Sequence, residues 1–195
     1  MKTVRIAILS GFAFLLTTCS PVYEQKKHVS ELDSRARQIK LYAQKKGFST
    51  RYCFLADMHI ESGLKRFFVY DLQNNSVSFS GLVAHGSCDQ FFLTKAKFSN
   101  SQGGQCTSLG LYKVGYSYYG QYGKSFKLFG LEKSNSNAFE RAVVLHSYAC
   151  VPDQEIYPKP LCNSSGCPMV SGAFLNKLSF IIEHSDKPLL LWIYN

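Results

Sequence analysis

The sequence predicts a mainly β domain with an N-terminal helix, and three observations support this fold class. Aromatic residues make up 14% of the 195 residues, whereas charged residues make up only 18%. Aromatic and β-branched side chains favour pleated, half-buried strands. Short apolar runs also recur between Gly-, Asn- and Ser-rich segments, as expected for strands joined by turns. A hydrophobic content of 46% excludes a disordered chain, and the length suits one domain.

Each element is predicted from its local pattern. Apolar residues at three- and four-residue steps predict one face of a first helix: Val29, Leu32, Ala36, Ile39 and Ala43. Ser30 and Asp33 resemble a start signal for this helix, and Gly47 ends it. Apolar runs predict seven strands: 51–57, 66–72, 77–84, 108–114, 125–131, 142–147 and 188–195. A long loop is predicted over 88–107, and a second, short helix over 174–182, before the last strand.

The first eighteen residues have the composition of an export signal. Lys2 and Arg5 precede an apolar stretch over 6–16, which is too short to span a bilayer but fits a secretory signal peptide. A short anchor or a buried helix is the alternative. The segment 16–20 then resembles a bacterial lipobox, in which Cys19 is lipidated and becomes the new N-terminus. Thr18 departs from the small residue that usually precedes this cysteine.

This pattern predicts a signal peptide over 1–18, a tether over 19–28 and a single domain over 29–195. The domain is expected in the cell envelope, on the periplasmic side, held to the membrane by its lipid. The formal net charge of +9 favours anionic partners, such as an envelope polymer or phospholipid headgroups. The Lys and Arg residues are scattered rather than clustered, so we expect no nucleic-acid partner. We also expect a monomer.

The chain has seven cysteines, which are Cys19, Cys53, Cys88, Cys106, Cys150, Cys162 and Cys167. Cysteines that have no catalytic role tend to pair in an oxidising compartment. The pairs Cys88/Cys106 and Cys150/Cys162 are preferred, because each pair flanks a single loop rich in Gly, Pro or Asn. A fully reduced chain is the alternative. The spacing of His85 and Cys88 has no matching second pair, so we expect no zinc site.

Two segments carry the residues of a nucleophilic site. His146 ends the predicted strand 142–147, and Cys167 follows Gly166 in a turn of small residues. A thiol needs a base to become a nucleophile near neutral pH, and an imidazole is the usual one. Such a turn lets consecutive backbone N–H groups point at one spot, as in an oxyanion hole. Acyl transfer through a cysteine thioester is therefore one interpretation. A hydrogen-bonded core histidine and a disulfide cysteine are the alternative.

The order of these segments resembles a known enzyme family. The run 141–146 (RAVVLH) is followed, after a gap, by 164–168 (SSGCP). Four further pieces fit the same pattern: 68–72, 82–86, 108–112 and 128–132. Together they resemble the L,D-transpeptidase catalytic domain, also called the YkuD-like fold, in a branch found in Gram-negative envelopes. The resemblance covers about residues 48–195.

The resemblance implies a β-sandwich catalytic domain that acts on peptidoglycan stem peptides without a metal or an organic cofactor. Cys167 would be the nucleophile and His146 the base. The backbone of Ser165 and Gly166 would hold the oxyanion, and two serines would line the substrate site, Ser147 and Ser164. In this family the cysteine attacks the carbonyl of the third stem residue, terminal D-Ala leaves, and an amine resolves the thioester. Carbapenems acylate the same cysteine.

The chain departs from the widest family pattern, which reads Ser-His-Gly-Cys followed by Arg or Asn. Ser165 stands at the position of that His, and Met169 lies where a polar residue is common. Three basic residues are candidates for the missing polar partner: Lys133, Arg141 and Lys159. His85 has two interpretations, as a residue supporting the site or as a turn residue, and the turn is preferred.

Two other functions remain open. Water as the acyl acceptor would make the enzyme an L,D-carboxypeptidase. An inactive envelope-binding lipoprotein would instead hold Cys167 in a disulfide with Cys162 or Cys150. The tyrosines around Gly120 are either a lid or stacking edge, or ordinary exposed strand residues, and the second interpretation is preferred; they are Tyr116, Tyr118, Tyr119 and Tyr122.

Overall fold

The computed structural model describes residues 21–195, with side chains from residue 30 onward. Helix α1 spans Pro21–Lys46 and helix α2 spans Gly172–Glu183, with a 3₁₀ turn at Lys133–Asn135. The strands are β1 (Tyr52–Asp57), β2 (Phe67–Asp71), β3 (Ser76–Gly81), β4 (Gly110–Gly120), β5 (Gly123–Gly130), β6 (Val144–Ser147), β7 (Met169–Val170) and β8 (Leu190–Tyr194). The predicted mainly β class and both predicted helices are confirmed.

All eight strands form one mixed sheet in the order β3-β2-β1-β8-β4-β5-β6-β7. The apolar last strand β8 lies between β1, to which it is parallel, and β4, to which it is antiparallel. This central position matches its continuous apolar sequence, because a strand covered on both faces has no polar side. Ala84, just after β3, forms an antiparallel bridge with Met169 of β7. The two edges of the sheet therefore meet, and the sheet encloses a core.

The enclosed core contains aromatic and aliphatic side chains from the inner face of the sheet and from α2. Its central members are fully or almost fully buried, and they include Phe54, Phe67, Phe126, Leu145 and Phe174. Rings of this core pack edge to face, as Phe67 and Phe174 do at 82°. Leu145 comes directly before His146 on β6, so core packing fixes the strand that carries the predicted base.

Helix α1 covers the opposite face of β1, β2 and β8. The face predicted from the apolar spacing is buried at Leu32, Ala36, Ile39 and Ala43. Burial of each larger aliphatic side chain contributes roughly 1.5–3 kcal/mol. The two alanines let the helix axis approach the sheet closely. The Arg35 guanidinium also lies over the rings of Trp192 and Tyr194, at 4.7 and 4.2 Å from their centroids.

The start of α1, the end of β4 and the presence of β7 differ most from the sequence prediction. Helix α1 begins at Pro21 rather than at Ser30, so the backbone of 21–28, predicted as a tether, is helical. Proline suits a first helical turn, because it has no N–H to satisfy there. Strand β4 continues past 114 to Gly120, because Gly115 allows a close approach to Phe129, whose ring a Cβ would meet at 2.4 Å. The two-residue strand β7 was not predicted.

Both preferred disulfides are present, Cys88–Cys106 and Cys150–Cys162. The first closes the long loop 88–107, and the second ends just before the small-residue turn that contains Cys167. Among the residues that the structure describes, Cys53 and Cys167 are the free cysteines. Cys53 is fully buried in the core beneath α1, and this burial raises the pKa of its thiol. It therefore has no reactive character.

The predictions for the N-terminal segment concern residues that lie outside the described part of the chain. The predicted signal peptide over 1–18 and the predicted lipidation site Cys19 both precede Pro21. Within residues 21–195, no helix combines the length and the hydropathy needed to cross a membrane.

We expect Leu145→Ala to lower the free energy of unfolding by about 2–5 kcal/mol, because it removes packed volume from the enclosed core. The matched control is Leu41→Ala on α1, whose side chain is 68% exposed and should change stability by less than about 0.5 kcal/mol. Urea denaturation of both variants measures the difference. Equal destabilisation by the two substitutions would contradict the assignment of Leu145 to the core.

Candidate active site

The structure brings His146 and Cys167 to one cavity of about 260 Å³. His146 lies on β6, and the parallel pairing of His146 with Met169 places the turn that contains Cys167 beside that strand. The wall includes Tyr122 from the tip of the β4–β5 hairpin and, from two further segments, Tyr148 and Asn163. The two residues predicted from the sequence as nucleophile and base therefore share one site.

The Cys167 side chain is partly exposed and lies against the backbone before β6. The Val144 N–H donates a hydrogen bond to the Cys167 sulfur, with a nitrogen–sulfur distance of 3.4 Å. The sulfur lies 4.0 Å from the Ala142 carbonyl oxygen. Burial raises the pKa of the thiol above 9.0, although the Val144 N–H and the positive charges of Arg141 and Lys127 act in the opposite direction. Near neutral pH the resting thiol is therefore protonated and needs a base.

The tautomer of His146 is set by its own strand. Its Nδ1 lies 3.1 Å from the Ser147 carbonyl oxygen, which can only accept, so Nδ1 carries the proton. Nε2 is then the nitrogen with a free lone pair. Only 2% of His146 is exposed, and this burial lowers its pKa below 6.5 despite the bond to Ser147. His146 is therefore a neutral imidazole near pH 7, and it can accept a proton at Nε2.

The Tyr122 ring covers the His146 imidazole. The two rings stack with centroids 4.4 Å apart and planes at 25°, and Tyr148 meets Tyr122 edge to face at 6.0 Å. Of the tyrosines around Gly120, Tyr122 thus has the stacking role, whereas Tyr119 is an exposed strand residue. This contact forms because the tip of the β4–β5 hairpin lies over β6. It depends on tertiary structure, so the local sequence pattern does not reveal it.

The Ser164 hydroxyl organises the turn before Cys167. It accepts a hydrogen bond from the Gly166 N–H at 3.0 Å and donates to the Cys167 carbonyl oxygen at 2.6 Å. Ser164 lines the cavity, but its hydroxyl is used mainly within the turn. The Gly166 N–H, predicted as an oxyanion donor, is already bonded. In the described part of the chain, the N–H groups of Ser165 and Cys167 have no such partner.

Gly166 occupies a position that only glycine fits. Its φ of +111° is rarely adopted by other residues, and a Cβ there would lie 2.8 Å from the Cys106 carbonyl oxygen. The Arg141 Nη2 would lie 3.2 Å from the same Cβ. The Thr107 hydroxyl also donates to the Gly166 carbonyl oxygen at 3.3 Å. The turn is therefore packed directly on the end of the long loop.

Arg141 holds this support together. Its Nη2 donates to the Cys106 carbonyl oxygen at 2.5 Å, and its Nη1 donates to the Ser99 carbonyl oxygen at 3.0 Å and to the Ser108 hydroxyl. Because the guanidinium is used in these bonds, Arg141 supports the site from behind and does not face a substrate. Of the other two basic candidates, neither Lys133 nor Lys159 lines the cavity.

Ser147 and His85 lie beside the cavity rather than on its wall. Ser147 contributes its carbonyl oxygen to His146 and does not line the cavity. His85 is fully buried, and it bridges Arg66 at 2.9 Å and the Leu93 carbonyl oxygen at 3.1 Å. Burial and the Arg66 charge lower the pKa of His85 to about 4, so it stays neutral. The structure thus favours the interpretation of His85 as a supporting residue over the turn.

Asn163 is a site residue that sequence reasoning missed. Its side-chain oxygen accepts from the Leu93 N–H at 2.6 Å, and its side-chain nitrogen donates to the Leu93 carbonyl oxygen at 2.9 Å. These two hydrogen bonds tie the long loop to the segment that leads into Cys167. A single Asn before a Ser-rich turn carries no sequence signal of such a contact.

No group of three or more His, Cys, Asp or Glu side chains among the described residues is arranged to hold a metal ion. The site consists of a thiol, a neutral imidazole, free backbone N–H groups and two aromatic rings. This set can perform nucleophilic acyl chemistry.

Comparison with models of protein families gives a match over most of the chain. The model of a family described as L,D-transpeptidase catalytic domain matches residues 24–194. No curated protein sequence matches the chain.

Several solved structures are similar to this chain at low sequence identity. The helical cell shape determining protein Pgp2 from Campylobacter jejuni is 13% identical, with 74% of this chain and 47% of that chain covered and a TM-score of 0.46. An L,D-transpeptidase from Xylanimonas cellulosilytica is 12% identical, with coverages of 75% and 61% and a TM-score of 0.43. An L,D-transpeptidase from Mycobacterium smegmatis is 11% identical, with coverages of 74% and 59% and a TM-score of 0.44. The chain thus spans less than two thirds of each of these structures.

We expect Gly166→Ala to destabilise the domain by about 1–3 kcal/mol and to slow alkylation of Cys167 by iodoacetamide, because the turn must shift away from Cys106. Gly172→Ala is the matched control, since a Cβ there meets nothing within 4 Å and alanine favours a helix. Thermal unfolding and peptide mapping of the alkylated thiol measure both effects. A Gly166→Ala protein as stable and as reactive as the control would contradict the tight packing of this turn.

Proposed function

The chain belongs to the L,D-transpeptidase catalytic domain family, and from this membership we propose a peptidoglycan transpeptidase in which Cys167 forms the thioester. One observation carries the proposal. A free thiol and a neutral histidine, with Nδ1 bonded and Nε2 open, line the same cavity. This pairing supplies the nucleophile and the base that acyl transfer needs.

In the first step, His146 Nε2 accepts the thiol proton as the sulfur attacks the carbonyl carbon of the third stem residue. The negative charge that develops on the carbonyl oxygen is held by the free N–H groups of Cys167 and Ser165. The peptide bond to the terminal D-Ala then breaks, and the departing nitrogen takes the proton from His146. The products are D-Ala and a thioester at Cys167.

In the second step, an amine of another stem attacks the thioester carbonyl. His146 Nε2 accepts the proton of the attacking amine, a new amide bond forms, and the carbon–sulfur bond breaks. The thiolate recovers its proton from His146, which restores the resting site. Water in place of the amine would release the free stem peptide, which is the carboxypeptidase reaction.

The disulfide pattern argues against an inactive binding protein. That function required Cys167 to pair with Cys162 or Cys150, but these two cysteines pair with each other. Cys167 is free and partly exposed to the cavity. We therefore retain Cys167 as the nucleophile.

We propose that the domain works in the periplasm as a monomer, exported by residues 1–18 and anchored by a lipid on Cys19. Two disulfides support an oxidising location, because such bonds are rare in the cytosol. The family's activity on peptidoglycan also places its substrate in the cell envelope.

Incubation with a carbapenem should give one stable covalent adduct per chain, detected by intact mass. Cys167→Ala should give none, and His146→Ala should react at least about tenfold more slowly, in line with the usual contribution of a general base. Buried Cys53 remains unmodified and serves as an internal control. A wild-type chain that is folded and reduced at Cys167 but forms no adduct would overturn the proposal. Stem tetrapeptide with and without an acceptor amine then separates transfer from hydrolysis.

The acylation rate should depend on pH through His146. Protonated His146 cannot accept the thiol proton, and burial lowers its pKa below 6.5. The rate should therefore fall on the acid side with a midpoint below pH 6.5 and remain level across neutral pH, where the thiol is still protonated. A wild-type rate that instead climbs steadily to pH 9 would indicate attack by free thiolate without the histidine.

In Arg141→Met the pKa of the Cys167 thiol should rise, because a positive charge is lost.

A further inference from the structure

The outer face of the β4–β5 hairpin carries lysines and aromatic rings in contact with one another. We call this surface the lysine–aromatic strip, and its members are Lys113, Tyr116, Tyr118, Lys127, Phe129 and Phe139. The Lys127 ammonium lies 5.6 Å from the ring centroids of both Tyr118 and Phe139. Phe139 stacks on Phe129 at 5.4 Å and 14°, and the Lys113 ammonium lies 4.3 Å from the Phe129 ring. The strip is thus one continuous surface.

The strip is open to solvent. Phe139 is 48% exposed and Tyr116 is 61% exposed, although apolar rings of this size are usually covered. Beyond Phe129 the strip runs into a groove of about 390 Å³, whose wall includes Lys113, Tyr116 and Lys187. An open aromatic surface that leads into a groove is suited to an extended ligand.

The charge of the strip is positive and unpaired. Within residues 30–195 no ion pair involves Lys113 or Lys127, whereas Lys124 on the same hairpin pairs with Glu183. The groove wall contains one acidic residue, Asp186, and two basic residues, Lys113 and Lys187. An anionic ligand therefore complements the surface, and a cationic or neutral one does not.

The strip is continuous with the catalytic site. Lys127 lies directly opposite Val144 in the β5–β6 pairing, and the Val144 N–H donates to the Cys167 sulfur. Ser125, two residues earlier on β5, lies opposite His146. Because residues two apart share a face of a strand, Lys127 and the base project from the same side of the sheet. The strip begins beside the thiol and leads away from the cavity.

We propose that the lysine–aromatic strip binds an uncross-linked peptidoglycan strand, with stem carboxylates on Lys127 and Lys113 and apolar ring faces of the sugars on Phe139 and Tyr116. The assignment rests on the proposed function, because peptidoglycan is the polymer that brings carboxylates, sugars and an acyl group to one place. Aromatic rings bind the C–H faces of sugars, and ammonium groups bind carboxylates.

The test is co-sedimentation with purified insoluble peptidoglycan sacculi, in a Cys167→Ala background that prevents turnover. Lys113→Gln combined with Lys127→Gln should weaken binding about fivefold to tenfold, as expected for two exposed ion pairs, and Phe139→Ala should weaken it independently. Lys177→Gln and Phe180→Ala are the matched controls and should bind normally. Lys177 lies 5.8 Å from the Phe79 ring, and Phe180 is 65% exposed; neither belongs to the strip or lines its groove.

Three outcomes would overturn the assignment. The first is unchanged sedimentation of both strip variants, and the second is equal weakening by the matched controls. The third is strip-dependent binding to phosphatidylglycerol vesicles that equals binding to sacculi, because it would identify a lipid surface. Amidation of the stem carboxylates removes the same ion pairs from the other side. Amidated sacculi should therefore bind the unmodified strip weakly, to the extent that native sacculi bind the double lysine variant. Circular dichroism melting confirms that each variant is folded.

The carbapenem adduct of the wild-type chain is measured alongside. Strip-dependent sedimentation without an adduct would overturn the proposed catalysis and keep the strip. An adduct with strip-independent sedimentation would overturn the strip and keep the catalysis. The two proposals therefore fail in different ways.

Discussion

The contact between Gly166 and the Cys106 carbonyl oxygen is the constraint on which the site depends. Any side chain at 166 would collide with that oxygen, and the φ of +111° excludes most residues on its own. Because the turn can approach so closely, Arg141 reaches the Cys106 carbonyl and lies under the turn. The Cys88–Cys106 disulfide then fixes the end of the long loop that supplies this oxygen. The position of Cys167 is thus set from below by a loop that contains no catalytic residue.

The electrostatics of the site follow from burial. Burial raises the pKa of Cys167 and lowers that of His146, so both groups are neutral at rest. A neutral pair avoids the cost of burying two charges. The single hydrogen bond from Nδ1 to Ser147 then decides which nitrogen of His146 is open. On the proposed mechanism, the thiolate forms only as the proton moves to that nitrogen during attack.

Much of the fold was predictable because its signals are local. The α1 face followed from apolar spacing, the last strand from its unbroken apolar run, and the disulfides from the loops that their cysteines flank. The helix start at Pro21 and the strand β7 were missed for a physical reason. The spacing of apolar residues locates the helical face that packs on the sheet but not the residue at which the helix begins, and a two-residue strand is defined by its partners rather than by its sequence.

The candidate site was predictable in its reacting groups and not in its supports. A cysteine thiol is a nucleophile and a histidine imidazole is a base, so the residue types of Cys167 and His146 indicate their roles. The bonded state of the Gly166 N–H depends on how Ser164 folds over the turn, and the Tyr122 stack depends on hairpin pairing. Asn163 contacts Leu93, seventy residues away in sequence. Such contacts arise from tertiary structure, so a pattern read along the chain does not contain them.

The departure at Ser165 from the family's usual His has a physical account in this geometry. The Ser165 side chain is exposed, while its backbone N–H has no partner in the described part of the chain. A position that acts through its backbone tolerates a change of side chain, so long as the turn keeps its shape. That shape depends on Ser164 and Gly166, which match the family pattern. On the proposed mechanism the oxyanion site therefore survives the substitution.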